Sequence, residues 1–305
     1  MRIGSWIDKI RGEKRFNEPM RRYTTFRIGG KADILIFPED IGDIRNILSV
    51  SKDRQTPLFV LGGGANLLVR DGGIRGIVLS LRKGFRDIRI ADRTLVSVGA
   101  GAKLMEVTGF AADNGLSGLE FAVGIPGSVG GALIMNAGAA GKEMAKIVES
   151  VTLMDPEGNI LNMVGDDIGF GYRNSRFPAG SILLRTRLSL REGDKREIRE
   201  GMKINLEERQ KRQPISFPCA GSIFKNPVGD FAGRLIESAG LKGYRIGDAQ
   251  VSERHSNFIV NTGNASAEDV IRLIDYIKRV VLEKKGISLE TEIHIAGEEI
   301  SDGKQ

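Results

Sequence analysis

Two glycine-rich stretches are the first places in this sequence where residue type and spacing could do chemistry. Gly62-Gly63-Gly64-Ala65-Asn66 follows directly on the apolar run 58–61. Consecutive residues without side chains expose consecutive backbone N–H groups, and such a concavity can hold the oxygens of a diphosphate. A plain turn seldom needs three glycines. The second stretch, Gly124-Ile125-Pro126-Gly127-Ser128-Val129-Gly130-Gly131, leads into a short apolar helix expected around 132–135. The free amides of a helix start also favour phosphate. Together the two loops suggest a pyrophosphate held between two stretches of backbone. The dinucleotide fingerprint of a Rossmann fold is not the carrier. Gly99-Ala100-Gly101 precedes a helix, but Leu104 stands where the third glycine belongs, and no acidic residue follows a strand about twenty residues on. No Walker loop is present.

Other chemistry is excluded by what the chain lacks. Cys219 is its single cysteine, and His255 and His294 are its only histidines. No internal disulfide framework, cysteine zinc site or histidine-rich metal centre can be built from these, and no metal is expected. Cys219 reads as a small packing residue, with no histidine near it in sequence. Hydrophobic residues make up 41% and charged residues 28% of the chain, the balance of a globular protein. The net charge of +6 reads mainly as solvated surface, with room for a basic groove for anionic ligands. Aromatics are only 6% and do not interleave with basic residues, so no nucleic-acid partner is expected. Residues 121–141 are uncharged but contain Pro126, Asn136 and six glycines, a composition for a ligand-hugging loop, so no membrane insertion is expected. Residues 1–16 are charged and carry no apolar signal core, which makes a cytoplasmic location the expectation. A monomer is expected, although nothing in the residues themselves fixes the oligomeric state.

The elements that must position these loops can be read from periodicity. A chain of 305 residues favours two or three packed units. Strands are expected at 33–37, 58–61, 76–80 and 94–98. Helical spacing of Ile41, Ile44, Ile47 and Leu48 predicts a helix, and a second at 104–114 stops at Gly115. Strands are expected again at 148–154 and 182–190. Eight of the ten residues from Arg191 to Glu200 are charged; this run opens a helix to about Arg212 and suggests a domain boundary near 191–194. The last hundred residues read as a separate α+β unit. It has a short helix at 231–239 and a strand at 257–261. A longer amphipathic helix is capped by Ser266 with Asp269, with Val270, Ile271, Leu273, Ile274, Ile277 and Val281 as its buried stripe. Residues 289–295 alternate, with Leu289, Thr291, Ile293 and Ile295 on one side and Glu290, Glu292 and His294 on the other.

The glycine loops also carry a resemblance. Thr25-Phe26-Arg27-Ile28-Gly29-Gly30, then Gly62-Gly63-Gly64-Ala65-Asn66-Leu67-Leu68, then Gly118-Leu119-Glu120-Phe121 with Gly124–Gly131, and Met135-Asn136-Ala137-Gly138-Ala139 resemble, in order and spacing, the UDP-N-acetylenolpyruvoylglucosamine reductase family. The resemblance runs from about Thr25 to Glu292. It implies an α+β fold: a two-lobed FAD-binding domain of the vanillyl-alcohol-oxidase type and a C-terminal α+β substrate domain. The expected divisions are 1–83, 84–192 and 193–305. The FAD-domain half contains neither histidine nor cysteine, so the flavin is expected to be non-covalent.

Three further matches imply the chemistry. Tyr172-Arg173-Asn174-Ser175-Arg176-Phe177, Ala220-Gly221-Ser222-Ile223-Phe224-Lys225-Asn226-Pro227 and Leu289-Glu290-Thr291-Glu292 resemble the family's arginine, serine and glutamate motifs. Arg173, Ser222 and Glu292 are thereby the implied catalytic residues. Each taken alone would be an ordinary structural residue. The implied reaction reduces the enolpyruvyl group of UDP-N-acetylglucosamine enolpyruvate, with NADPH as hydride donor to FAD. Arg173 would hold the carboxylate and its growing charge, and Ser222 would donate the proton. Glu292 would act protonated, or by orienting Arg173 or a water. Arg212, Lys225 and Asn226 suit a UDP diphosphate, and Tyr172 and His255 are further substrate contacts. The short spacing from Arg173 to Ser222 resembles the shorter, type II form.

Overall fold

The structure, a computed structural model, describes residues 5–300; the first four residues of the charged segment 1–16 lie outside the described residues. Buried apolar side chains form two clusters. Backbone packing divides the chain in the same way, into Met1–Arg15, Ile34–Gly63 and Gly76–Arg209 on one side and Phe16–Asp33, Gly64–Arg75 and Gln210–Gln305 on the other.

The first unit is built on a five-stranded antiparallel sheet in the order Ile160–Val164, Val148–Met154, Ile182–Ser189, Leu95–Gly99, Ile88–Asp92. Its helices are α1 (Ile41–Asp53), α2 (Leu104–Asp113), α3 (Val129–Ile134) and α4 (Lys195–Arg212). α1 follows most of the predicted stripe: Ile44, Ile47 and Leu48 are buried, but Ile41 in the first turn is exposed; Asp40 caps the helix by accepting the Asp43 amide at 3.1 Å. α2 ends at Asn114, and Gly115 follows with φ +68°. The longest helix in the uncharged run 121–141 is the six-residue α3, and among the described residues no helix is long and apolar enough to cross a membrane. A second sheet has the order Glu13–Pro19, Lys31–Phe37, Ile74–Ser80, Leu58–Leu61. The chain changes unit within three of these strands.

The charged run 191–200 is solvated, with Ile198 as its one buried residue. By packing, α4 belongs to the first unit up to Arg209. Asn205 donates to the Glu120 carbonyl at 3.0 Å and Arg199 to Asp113 at 2.8 Å, which holds the helix there despite its polar composition.

The second unit contains the antiparallel strands Arg245–Ile246, Ala249–Val251 and Ile259–Asn261, α5 (Ala232–Ser238) and α6 (Ala267–Lys285). α6 starts with the capping box expected from sequence: Ser266 Oγ accepts the Asp269 amide and Asp269 accepts the Ser266 amide, both at 3.0 Å. Val280 joins the buried stripe, while Ile271 is only half-buried. The segment 289–295 departs from a regular strand. Only His294–Ala296 is a strand, parallel to Leu67–Val69, and Ile295 is 38% exposed. The reason is a change of partner: the Glu292 amide donates to Ile223, whereas the His294 amide donates to Asn66.

Candidate active site

In the first unit, Gly62 and Gly63 leave the strand Leu58–Leu61 and meet the second glycine loop backbone to backbone. A Cβ added to Gly63 would sit 2.4 Å from Gly127 Cα, and one on Gly62 would sit 3.2 Å from Ser128 Oγ. Among the described residues, the amides of Gly63, Gly127 and Ser128 donate to no protein acceptor. Close-set, unspent amides walled by bare backbone suit a ligand with anionic oxygens, so the residues present fit a dinucleotide such as FAD. Ser128 caps α3 by accepting the Gly131 amide at 3.3 Å, which leaves the loop rather than the helix end as the main donor surface. Gly130 lies on Ala100, to whose carbonyl it donates at 2.8 Å. Gly124 has φ +73°, and a Cβ there would press on Leu206 and Arg209 of α4 at 3.0 and 3.1 Å. Ile125 is half-buried and Pro126 exposed.

The arginine motif is held by the same unit. Asn136, 1% exposed, donates to the Gly171 carbonyl at 3.0 Å and accepts the Ala145 amide at 2.9 Å. Gly171 and Asn174 exchange backbone hydrogen bonds of 2.9 and 3.3 Å and close a turn on Tyr172 and Arg173. Arg173 sits in this turn with φ +54°, a conformation that L side chains adopt at an energetic cost. Its Nη1 donates to the Gly138 carbonyl at 3.3 Å, and its guanidinium lies 5.5 Å from the Tyr172 ring. Ala137 donates back to Ala132 at 2.8 Å. Asn136, Ala137 and Gly138, read as cofactor contacts, thus also form the seat of Arg173.

The second unit gathers the other motifs. The Glu292 amide donates to the Ile223 carbonyl at 2.7 Å, and the Lys225 amide donates to the Glu290 carbonyl at 2.9 Å. The serine and glutamate motifs are therefore antiparallel neighbours, paired at Phe224 and Thr291. Ser222 immediately precedes the residue that receives Glu292. The residues from Gly64 onward that are expected to contact the cofactor belong here. Thr25 donates from its amide to Gly64 at 3.0 Å and from its hydroxyl to Cys219 at 2.6 Å. Gly30 donates to Arg70 at 3.1 Å, and a Cβ on it would lie 2.1 Å from the Asp71 carbonyl oxygen. Arg27 has φ +57°, Ile28 is buried, and Asn261 ties the Phe26 carbonyl at 3.2 Å. Ala65 is half-buried, and Leu67 and Leu68 form the strand beside His294–Ala296. Gly29, with φ +138°, packs on Val69.

The expected substrate contacts differ in how free they are. The Lys225 ammonium contacts the exposed Glu290 carboxylate, so an incoming diphosphate would compete for it. Asn226 accepts the Ala232 amide at 3.1 Å and so holds the start of α5. His255 accepts the Asn257 amide on Nδ1 at 3.2 Å and packs on Gly233. Burial pushes its pKa below 6.5, which favours a neutral ring whose Nε2 carries the proton. Arg212 is exposed at the end of α4, and Tyr172 is 54% exposed in the first unit. Sequence reasoning missed Asn257. It is 3% exposed, accepts the Phe224 amide at 3.0 Å and donates to the Phe224 carbonyl at 2.8 Å, clamping the serine motif. An asparagine placed directly before the apolar run 258–260 was the available signal.

Comparison with known proteins gives this geometry a context. The family model for an FAD binding domain matches residues 32–163, and that for the UDP-N-acetylenolpyruvoylglucosamine reductase C-terminal domain matches residues 213–296. The UDP-N-acetylenolpyruvoylglucosamine reductase of Caldanaerobacter subterraneus subsp. tengcongensis is 45% identical, over 96% of this chain and 98% of its own. That of Heliobacterium modesticaldum is 47% identical, over 95% of this chain and 92% of its own. The solved structure of the Thermus caldophilus reductase aligns with a TM-score of 0.81 at 39% identity, covering 94% of this chain and all of that one. The chain belongs to the UDP-N-acetylenolpyruvoylglucosamine reductase family and is an FAD-dependent oxidoreductase with an α+β fold.

Proposed function

We propose that the protein uses NADPH and non-covalent FAD to reduce the enolpyruvyl group of UDP-N-acetylglucosamine enolpyruvate to UDP-N-acetylmuramate, a precursor of peptidoglycan. It would do so as a cytoplasmic monomer divided functionally into 1–83, 84–192 and 193–305. The observation that carries the reading is the pairing of the serine and glutamate motifs through the Glu292 amide and the Ile223 carbonyl, beside the residues of a cofactor loop. Bound FAD would relay a hydride from NADPH to the enolpyruvyl double bond. Gly62, Gly63, Gly127 and Ser128 would hold it by backbone, and the resemblance adds Arg27–Gly30 and Gly64–Leu68 as cofactor contacts.

The residues of this chain would do the rest. Arg173 would bind the substrate carboxylate and stabilise the charge that grows there once hydride is added, with its planar fork pre-set by the strained turn. Ser222 would give its hydroxyl proton to the α-carbon and regain one from solvent. An alcohol is a weak acid, but an enolate is a strong enough base to take its proton. Glu292 would contribute as a protonated carboxyl, or by orienting Arg173 or a water. Lys225 would leave Glu290 for the substrate diphosphate.

The test is turnover by FAD-loaded protein in deuterated water. The expected result is one NADPH oxidised per enolpyruvyl nucleotide, with one solvent deuterium at the α-carbon of the product. NADPH oxidation that ignores the nucleotide and consumes oxygen instead would contradict the reading.

A further inference from the structure

We propose that Asn66 is a positioning residue for proton delivery, linking the cofactor loop to the carboxylate that acts on substrate. The inference rests on the function proposed above. Asn66 ends the glycine run, and its side chain reaches out of its own loop: Nδ2 donates to the Glu292 carbonyl at 3.0 Å. Its backbone carbonyl accepts the His294 amide, also at 3.0 Å. The two bonds bracket residues 292–294. On the other side, the Glu292 amide donates to Ile223, next to Ser222. The backbone of Glu292 is thus held on both sides of its Cα, by the serine motif through N–H and by the cofactor loop through C=O. Only the second bond depends on a side chain. A carboxylate that must meet one substrate atom gains from a backbone that cannot rotate.

The bond lies on one half of the reaction. Hydride transfer from NADPH to the cofactor needs no proton from Ser222 or Glu292. Adding a hydride and a proton across the enolpyruvyl double bond needs both. Losing the Asn66 donor should therefore slow the second half more than the first. The backbone bond from His294 survives substitution, so the pairing of Leu67–Val69 with His294–Ala296 is retained.

The experiment compares wild type with Asn66→Ala and Asn66→Leu, the second close to asparagine in size and shape and uncharged while removing the donor. For each, FAD content is measured, along with the rates of flavin reduction by NADPH and of reoxidation by the enolpyruvyl nucleotide across pH. Support would be reoxidation falling at least tenfold more than reduction does in either variant that holds FAD, with an altered pH profile for reoxidation alone. Equal losses in both half-reactions, loss of FAD from both variants, or no change in either would overturn the inference and leave Asn66 a cofactor-loop residue only. Failure of wild type to be reoxidised by the nucleotide would instead overturn the function on which the inference stands.

Discussion

The two units present their candidate ligand surfaces by opposite means. In the first, the loops at 62–63 and 124–131 offer bare backbone, and side chains would obstruct them. In the second, Ser222, Lys225 and Glu292 are side chains carried on paired backbone, and Asn66, Asn257 and Thr25 hold that backbone in place. Backbone amides recognise phosphate oxygens without needing to move protons. Proton transfer requires specific side chains at fixed distances. The contrast predicts that damage to the first surface empties the protein of flavin, whereas damage to the second leaves it yellow and slow.

The largest effect expected is on the second surface. Ser222→Ala should lower the rate of flavin reoxidation by the enolpyruvyl nucleotide by about 10²–10⁴-fold with FAD content unchanged, as stopped-flow absorbance would show. A colourless variant would break the contrast.

Asp43 supplies a stability test confined to the first unit. It is 1% exposed and accepts the amides of Arg11, Gly12 and Glu39 at 2.8–2.9 Å. Burial pushes its pKa up, but those three amides pull it down further and leave it below the usual 3.8. The folded form therefore binds the proton less readily than the unfolded chain. The resulting stability is present above the usual carboxylate value and is lost as pH falls through the folded one. Asp43→Ala should cost about 2–3 kcal/mol at neutral pH, and the difference from wild type should narrow in acid melts.

Gly63→Val tests the backbone surface. With a Cβ 2.4 Å from Gly127 Cα, overpacking of about 1–3 kcal/mol translates into FAD binding weakened by roughly ten- to hundredfold in a fluorescence titration. Gly109 in α2 is the counterpart, because an added Cβ there meets nothing within 4 Å. Gly109→Ala should raise stability by about 0.5–1 kcal/mol without altering FAD affinity, since a helix interior favours alanine.

Much of this was legible in the sequence, for physical reasons that also mark where legibility ends. α1 follows from apolar spacing and α6 from spacing together with its cap at Ser266, because local periodicity and local hydrogen bonds dictate them, whereas the Asp40 cap of α1 emerged only in the structure. The glycine loops were visible because absence of a side chain is itself a signal. The alternation at 289–295 predicts one regular strand, but its amides serve two partners, Ile223 and Asn66, both distant in sequence. No local pattern encodes that change. The second roles of Asn136 and Asn226 were hidden for the same reason, since a side-chain amide suits a ligand and a backbone group equally well. Nor does α4 signal from composition that it packs with the first unit, because polar side chains such as Arg199 and Asn205 make bonds there that no local pattern announces.

The most direct test of the whole reading is an anaerobic visible spectrum of the FAD-loaded protein, taken before and after NADPH and again after the enolpyruvyl nucleotide. The flavin bands should bleach with NADPH and return with the nucleotide. Bands that bleach and stay bleached would contradict the proposed substrate, and a protein that cannot be loaded with FAD would contradict the role given to the glycine loops.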